Sequence, residues 1–251
     1  MIDDETRKML IRLADRYETT QFIVGDPSWW MHQVQGFRNQ EAMAFVASVL
    51  SYGSRAQFMP KIGSLLEMAG GDMDRWLRTG GYRSVFAEGD KHCFYRLYNQ
   101  GTMRAFFDAY RRLMGKHGSL GEYVEQSGGT VGITAVEAIC RWFAESGVSV
   151  VVPKDTTSAC KRVCMFLRWM GRSGSPVDLG LWSGFIDRRT LIMPLDTHVV
   201  SEAMKLNLMS SRCASMSAAR RLTDVMTEVF PSDPLRGDFA LFGYGVDNDH
   251  A

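Results

Sequence analysis

Apolar residues along the 251-residue chain recur mainly at helical spacing. Phe106, Ala109, Tyr110, Leu113 and Met114 fall at i, i+3, i+4, i+7 and i+8, one stripe of a helix, with Thr102 placed to cap it. Ala135, Ala138, Ile139, Trp142 and Phe143 repeat the pattern behind Thr130. Ala42 to Tyr52 is apolar almost all round, which predicts a helix buried on several sides. The same reading predicts helices at about 3–18, 55–69, 119–126, 157–171, 196–206, 215–229 and 234–243. The β-branched run that stands out is Val148 to Val152, bracketed by Gly147 and Pro153. The expected class is therefore all-α. Gly70-Gly71, Gly80-Gly81 and Gly128-Gly129 punctuate the chain. The last of these divides a single domain, 1–251, into lobes of about 1–128 and 129–251 with a cleft between them.

Composition narrows the class. With 45% hydrophobic residues the chain can bury a large core, and no apolar run is long enough to span a membrane. The start, Met-Ile-Asp-Asp-Glu, is acidic and no secretory signal follows. The five cysteines, Cys93, Cys140, Cys160, Cys164 and Cys213, form no C-x-x-C pair and read as reduced, packed thiols with no metal site. A cytoplasmic monomer without cofactor is the expectation. Net charge is only +1, yet the positive charge is gathered locally. Arg75 to Lys116 holds nine Lys/Arg against three Asp/Glu, and Lys154 to Arg172 holds five against one. Such runs suit either solvated helix faces or a local anionic partner such as a phosphate backbone.

The chemistry is concentrated between Pro153 and Leu208. Thr157 or Ser158 can cap a helix through Val163-Cys164-Met165-Phe166-Leu167-Arg168-Trp169-Met170, which puts Lys161 in its first turn. The helix start and Arg162 both bring positive charge to that amine, a setting in which lysines serve as nucleophiles. After a polar loop from Arg172 to Pro176, the apolar Leu191-Ile192-Met193-Pro194-Leu195 leads into Asp196-Thr197-His198-Val199. Pro194 disfavours helix at Met193, so Asp196 is placed to cap the following helix. An exposed lysine and an ordinary Asp cap would account for either residue alone.

Together these segments resemble the helix-hairpin-helix (HhH-GPD) DNA glycosylase superfamily, the group of endonuclease III and 8-oxoguanine glycosylase. The narrower match is to an uncharacterised bacterial family within it, DUF2400. It rests on Cys160-Lys161-Arg162, Met165 to Met170, Val177-Asp178-Leu179-Gly180-Leu181-Trp182, Pro194-Leu195-Asp196 and Asp238-Phe239-Ala240-Leu241-Phe242-Gly243. Ala42 to Gln57 resembles the superfamily's first core helix. The resemblance implies a base-excision enzyme acting on damaged double-stranded DNA, with Asp196 as the catalytic carboxylate and, if it is also an AP lyase, Lys161 as the nucleophile. Comparison with the archaeal 8-oxoguanine branch adds the wide spacing of Lys161 and Asp196, 35 residues apart, and an oxidised purine as one possible substrate. It also adds Asp238 and Phe242 near the base pocket, with Met165, Trp169 and Trp182 as further candidates and Phe239 as a stacking wall. Arg55, Thr157, Ser158, Arg162, Arg168, Arg172 and His198 are the candidate DNA contacts. The turn before Lys161 is Asp155-Thr156-Thr157-Ser158, without the superfamily's glycines, so hydroxyls and the helix N-terminus would have to serve a phosphate there. No cysteine follows Cys213, so the iron–sulfur loop of endonuclease III is absent. The alternative is a non-catalytic nucleic-acid-binding protein of the same fold; a helical scaffold for protein partners would leave Pro194-Leu195-Asp196-Thr197-His198 unexplained.

Overall fold

The computed structural model describes residues 2–249. Most of that length is helical, in agreement with the all-α expectation. The strands among the described residues are β1 (Cys93–Tyr95) and β2 (Tyr98–Asn99), paired antiparallel with Tyr95 opposite Tyr98. No helix of the described residues is long and apolar enough to cross a membrane.

The chain divides into two compact units. The first contains the chain through Val24, Thr130–Val136 and everything from Thr156 on; the second contains Gly25–Gly129 and Glu137–Asp155. The helix at the amino end thus belongs with the C-terminal helices.

The second unit is built on α2 (Phe37–Leu50), the helix whose apolar residues show no polar face. Ala42 to Ala47 are fully buried, and the Phe45 ring lies 5.3 Å from Tyr110, 5.3 Å from Phe143 and 6.0 Å from Phe106. Also in it are α3 (Arg55–Met68), α4 (Met73–Thr79), α5 (Gln100–His117), α6 (Leu120–Gln126) and most of α7 (Gly132–Glu145). The stripe expected on α5 is buried throughout, but its cap is Asn99, whose Oδ1 accepts from the Thr102 amide at 2.7 Å, so Thr102 lies in the first turn. The start of α6 is satisfied from a distance. Buried Glu41 on α2 accepts from the amides of Leu120 and Gly121 at 2.9 and 3.0 Å. A carboxylate at a helix start is favoured by the dipole and the unpaired amides alike.

The β-branched run and the observed strands do not coincide. Val148 to Val152 forms turns, not a strand; Val148, Val151 and Val152 turn inward while Val150 stays exposed. A run this short between a positive-φ Gly147 and Pro153 finds no partner strand for its backbone. The β1–β2 hairpin has no glycine or Asn-Gly turn to announce it; Arg96 itself takes φ 51° there.

The first unit holds α1 (Asp4–Tyr17), α8 (Lys161–Gly171), α9 (Thr197–Lys205), α10 (Met216–Val229) and α11 (Arg236–Asp249). Helix α1 lies along α11, and α11 packs on α9. Gly243 permits the first contact, since a Cβ there would overlap the Tyr17 ring. Phe22, Phe239 and Phe242 meet edge to face, with centroids 4.8 and 4.9 Å from Phe22, around Ile23 and Val177.

Candidate active site around Lys161 and Asp196

Helix α8 begins later than its apolar pattern suggests. Lys161 is its first residue and Cys160 its cap, in the left-handed conformation at φ 46°, ψ 37°. Thr157 and Ser158 are exposed residues of the preceding turn and do not cap the helix; Ser158 Oγ instead accepts from the Cys160 amide at 3.4 Å. The bend at Cys160 ends the irregular approach abruptly, so the helix cannot start at 157. Cys160 and Cys164 are buried and form no disulfide among the described residues, and the Cys164 thiol donates to the Ala159 carbonyl at 3.5 Å. Burial raises the Cys164 thiol far above the ordinary value, which suits a packed, unreactive group.

The second half of the site comes from the apolar approach to α9. Leu191 to Leu195 are buried, and the Met193 amide donates to Thr223 Oγ1 on α10 at 2.9 Å. That anchoring fixes where the chain emerges, and the first residue out is Asp196. Its Oδ1 accepts from the Val199 amide at 2.8 Å, capping α9 as expected. Its Oδ2 faces Lys161 Nζ at 3.5 Å. One carboxylate therefore performs two tasks with two oxygens. Both side chains are about one-third exposed, 34% for Lys161 and 31% for Asp196, so a ligand can reach the pair. Thr197 and His198 are exposed beside it, and Arg162 is half-buried next to Lys161.

The remaining candidates are distributed differently. Met165, one turn beyond Lys161 on the same helix face, is nearly buried. Trp169 and Trp182 are completely buried; Trp182 packs edge-on against Phe166 at 5.1 Å, and Trp169 Nε1 has no hydrogen-bond partner among the described residues. Phe239 is core, and Phe242 contacts Tyr17 and Phe22. As they stand, Trp169, Trp182 and Phe239 are interior packing, and Phe242 is half-buried. Arg55 is exposed on the second unit, 3.6 Å from Asp26.

Arg168 and Arg172 depart furthest from expectation. Expected as phosphate contacts, they are instead 3% and 1% exposed, inside a network of carboxylates. Arg168 pairs with Asp178 at 3.2 Å and with Asp238. Arg172 donates two bonds to Asp233 at 2.9 and 2.8 Å, one to Glu18 at 2.6 Å and one to Asp178. Arg236 closes the network onto Glu18 at 2.9 Å and Asp15 at 2.5 Å. Burial opposes the charge of Arg172, but Asp178, Asp233 and Glu18 outweigh it and hold the guanidinium pKa above its ordinary range. Asp238 is thereby an ion-pair partner of Arg168. The network was missed because nothing local marks it: Glu18 lies 154 residues from Arg172. One available signal was the placement of Arg168 within the apolar run of α8 and of Arg172 directly after it.

No match was found among curated proteins or among solved structures. Residues 26–247, which include both halves of the Lys161–Asp196 pair, match the family described as protein of unknown function (DUF2400), and the chain belongs to that family.

Proposed function

We propose that the protein is a DNA N-glycosylase with AP-lyase activity, of the helix-hairpin-helix type, that excises a damaged base through Lys161 and Asp196. The observation that carries this reading is the division of labour at Asp196. Oδ1 is held by the Val199 amide while Oδ2 stands 3.5 Å from the Lys161 amine. A nucleophile beside an oriented carboxylate is the arrangement that covalent base excision requires.

In the proposed reaction the target nucleotide leaves the stack, and the Lys161 amine attacks C1′ of its sugar. The C1′–N bond breaks with its electron pair passing to the base, a C1′–Nζ bond forms, and the proton released from Nζ goes to the departing base. Asp196 stabilises the positive charge that builds on the sugar and is close enough to Nζ to relay that proton. The Schiff base that follows ring opening permits strand cleavage by β-elimination. Arg162, Thr157, Ser158 and His198 are the candidate phosphate contacts around the pair; Arg168 and Arg172 are engaged elsewhere.

Borohydride trapping on a panel of damaged duplexes tests the reading. A covalent adduct is expected with the parent and with Lys154→Ala, and none with Lys161→Ala. An adduct that survives Lys161→Ala would sink the assignment. If the parent binds duplex but traps and excises nothing across the panel, the same surface is that of a non-catalytic nucleic-acid binder.

A further inference from the structure

The basic run from Arg75 to Lys116 folds so that part of it surrounds one cavity. Arg78 at the end of α4, Arg83 in the short 3-10 turn Gly81–Ser84, and Asp108, Arg111, Arg112 and Gly115 on α5 line a space of about 450 Å³. The four α5 residues fall at i, i+3, i+4 and i+7, so they share one face, opposed to the buried stripe. All six residues belong to the second unit.

The charges around this cavity do not balance. Asp108 already accepts from Tyr82 Oη at 2.6 Å, Arg83 Nη2 at 2.6 Å and Arg104 Nε at 2.7 Å. Burial raises its carboxyl, but those three donors outweigh it and lower the pKa to about 2, so it is a committed anion. Asp74 receives the Arg78 Nε at 2.9 Å. Arg78 Nη2 donates to the Gly118 carbonyl at 2.6 Å, and Arg111 Nε donates to the Arg78 carbonyl at 2.9 Å. These bonds aim the guanidiniums without neutralising them. Arg111 and Arg112 have no carboxylate within 4.0 Å among the described residues. Asp74 answers Arg78 and Asp108 is shared by Arg83 and Arg104, so the charges of Arg111 and Arg112 face the hollow unanswered by a carboxylate. Adjacent like charges repel, and an oxyanion in the hollow would relieve that. Gly115 keeps the space open: a Cβ there would meet nothing within 4 Å.

We propose that this cavity is a phosphate-binding site, with Arg111 and Arg112 as the contacting groups and Arg78 and Arg83 completing the field. Guanidinium forks match the oxygens of a phosphate in a way that a lysine cluster does not. The phosphate is carried either by a nucleic-acid backbone or by a free phosphate ester. Its residues lie in the other unit from Lys161.

Inorganic phosphate is titrated against the protein's melting temperature, with ionic strength held constant by chloride so that screening does not mimic binding. The parent should show a saturable rise. Arg111→Gln with Arg112→Gln should weaken binding by about tenfold or more. Gly115→Glu, which puts a carboxylate into open space on a helix, should weaken it at least as far. Exposed Lys8→Gln should bind as the parent does. A parent without a saturable rise, or arginine variants that bind phosphate undiminished, would overturn the proposal. A labelled duplex separates the sources. Loss of duplex affinity and a shallower salt slope in the arginine variant identify a backbone phosphate, whereas unchanged duplex binding with lost phosphate binding identifies a free ester.

Discussion

The two ends of α8 carry the same sign of charge in opposite circumstances. At its start, Lys161 is one-third exposed and faces a single carboxylate oxygen at 3.5 Å. Towards its end, Arg168 and Arg172 are 3% and 1% exposed and share Glu18, Asp178, Asp233 and Asp238. Desolvated charges are tolerable only when every partner is present, so the arginine end is committed to the fold. A single pair one-third exposed contributes little to folding and stays available to a ligand. Basic residues on one helix thus separate into structural and chemical groups by burial and partner count. Residue type alone does not separate them.

The most damaging way to probe this contrast is at its buried end. Arg172→Met should destabilise the protein by about 3–5 kcal/mol, because it leaves Asp233 without its ion-pair partner and Asp178 with Arg168 alone. Urea unfolding measures it, and a loss under 1 kcal/mol would remove the distinction between the two ends. Asp196→Asn comes next. It keeps a capping oxygen for the Val199 amide but discards the charge facing Lys161. Excision under single-turnover conditions should fall by roughly a hundred- to a thousandfold, while stability changes by less than about 1 kcal/mol. Full activity in a folded Asn variant would reduce Asp196 to a cap. Lys161→Met should cost only about 0–1 kcal/mol, as expected for an exposed pair, and a larger loss would assign Lys161 to the fold.

The smallest expected effect is one of pH. Burial pushes the Glu18 carboxyl up, but Arg172 and Arg236 outweigh it, so its pKa in the folded protein lies below the ordinary 4.5. A lowered folded pKa means stabilisation that is complete above 4.5 and is lost as pH falls through the folded value. Melting temperatures of the parent should therefore drop on the acid side of that window. Glu18→Gln should show a lower melting temperature at neutral pH and a flatter acid limb. An acid limb as steep as the parent's would place the titrating groups elsewhere.

Both halves of the candidate site were legible because their signals are local. An apolar approach broken by Pro194, then Asp196 followed by helical periodicity, defines a capped helix within ten residues. The caps expected for α8, Thr157 or Ser158, lie three or two residues before the observed one, since both are good caps by type. What moved the cap was the left-handed bend at Cys160, a position where glycine would have been the recognisable residue. The fate of Arg168 and Arg172 was not legible. An arginine in the last turn of an amphipathic helix or just after it looks the same whether it meets water or buried carboxylates.

Periodicity, punctuation and capping chemistry act over a few residues, so the chain's own pattern was sufficient for its helical class, the placing of most helices and the first turn at Asp196. Whether a charge is buried depends on groups brought together from distant positions, such as Glu18 with Arg172 or Glu41 with the start of α6. The approach of Lys161 to Asp196 across 35 residues of chain is of the same kind. The cavity between α4 and α5 belongs there too: its charge excess is written in the composition of one segment, but the hollow that collects it exists only once the two helices are packed. Solvent access and partner distance are properties of the folded chain, and they decide which of its charges remain free for chemistry.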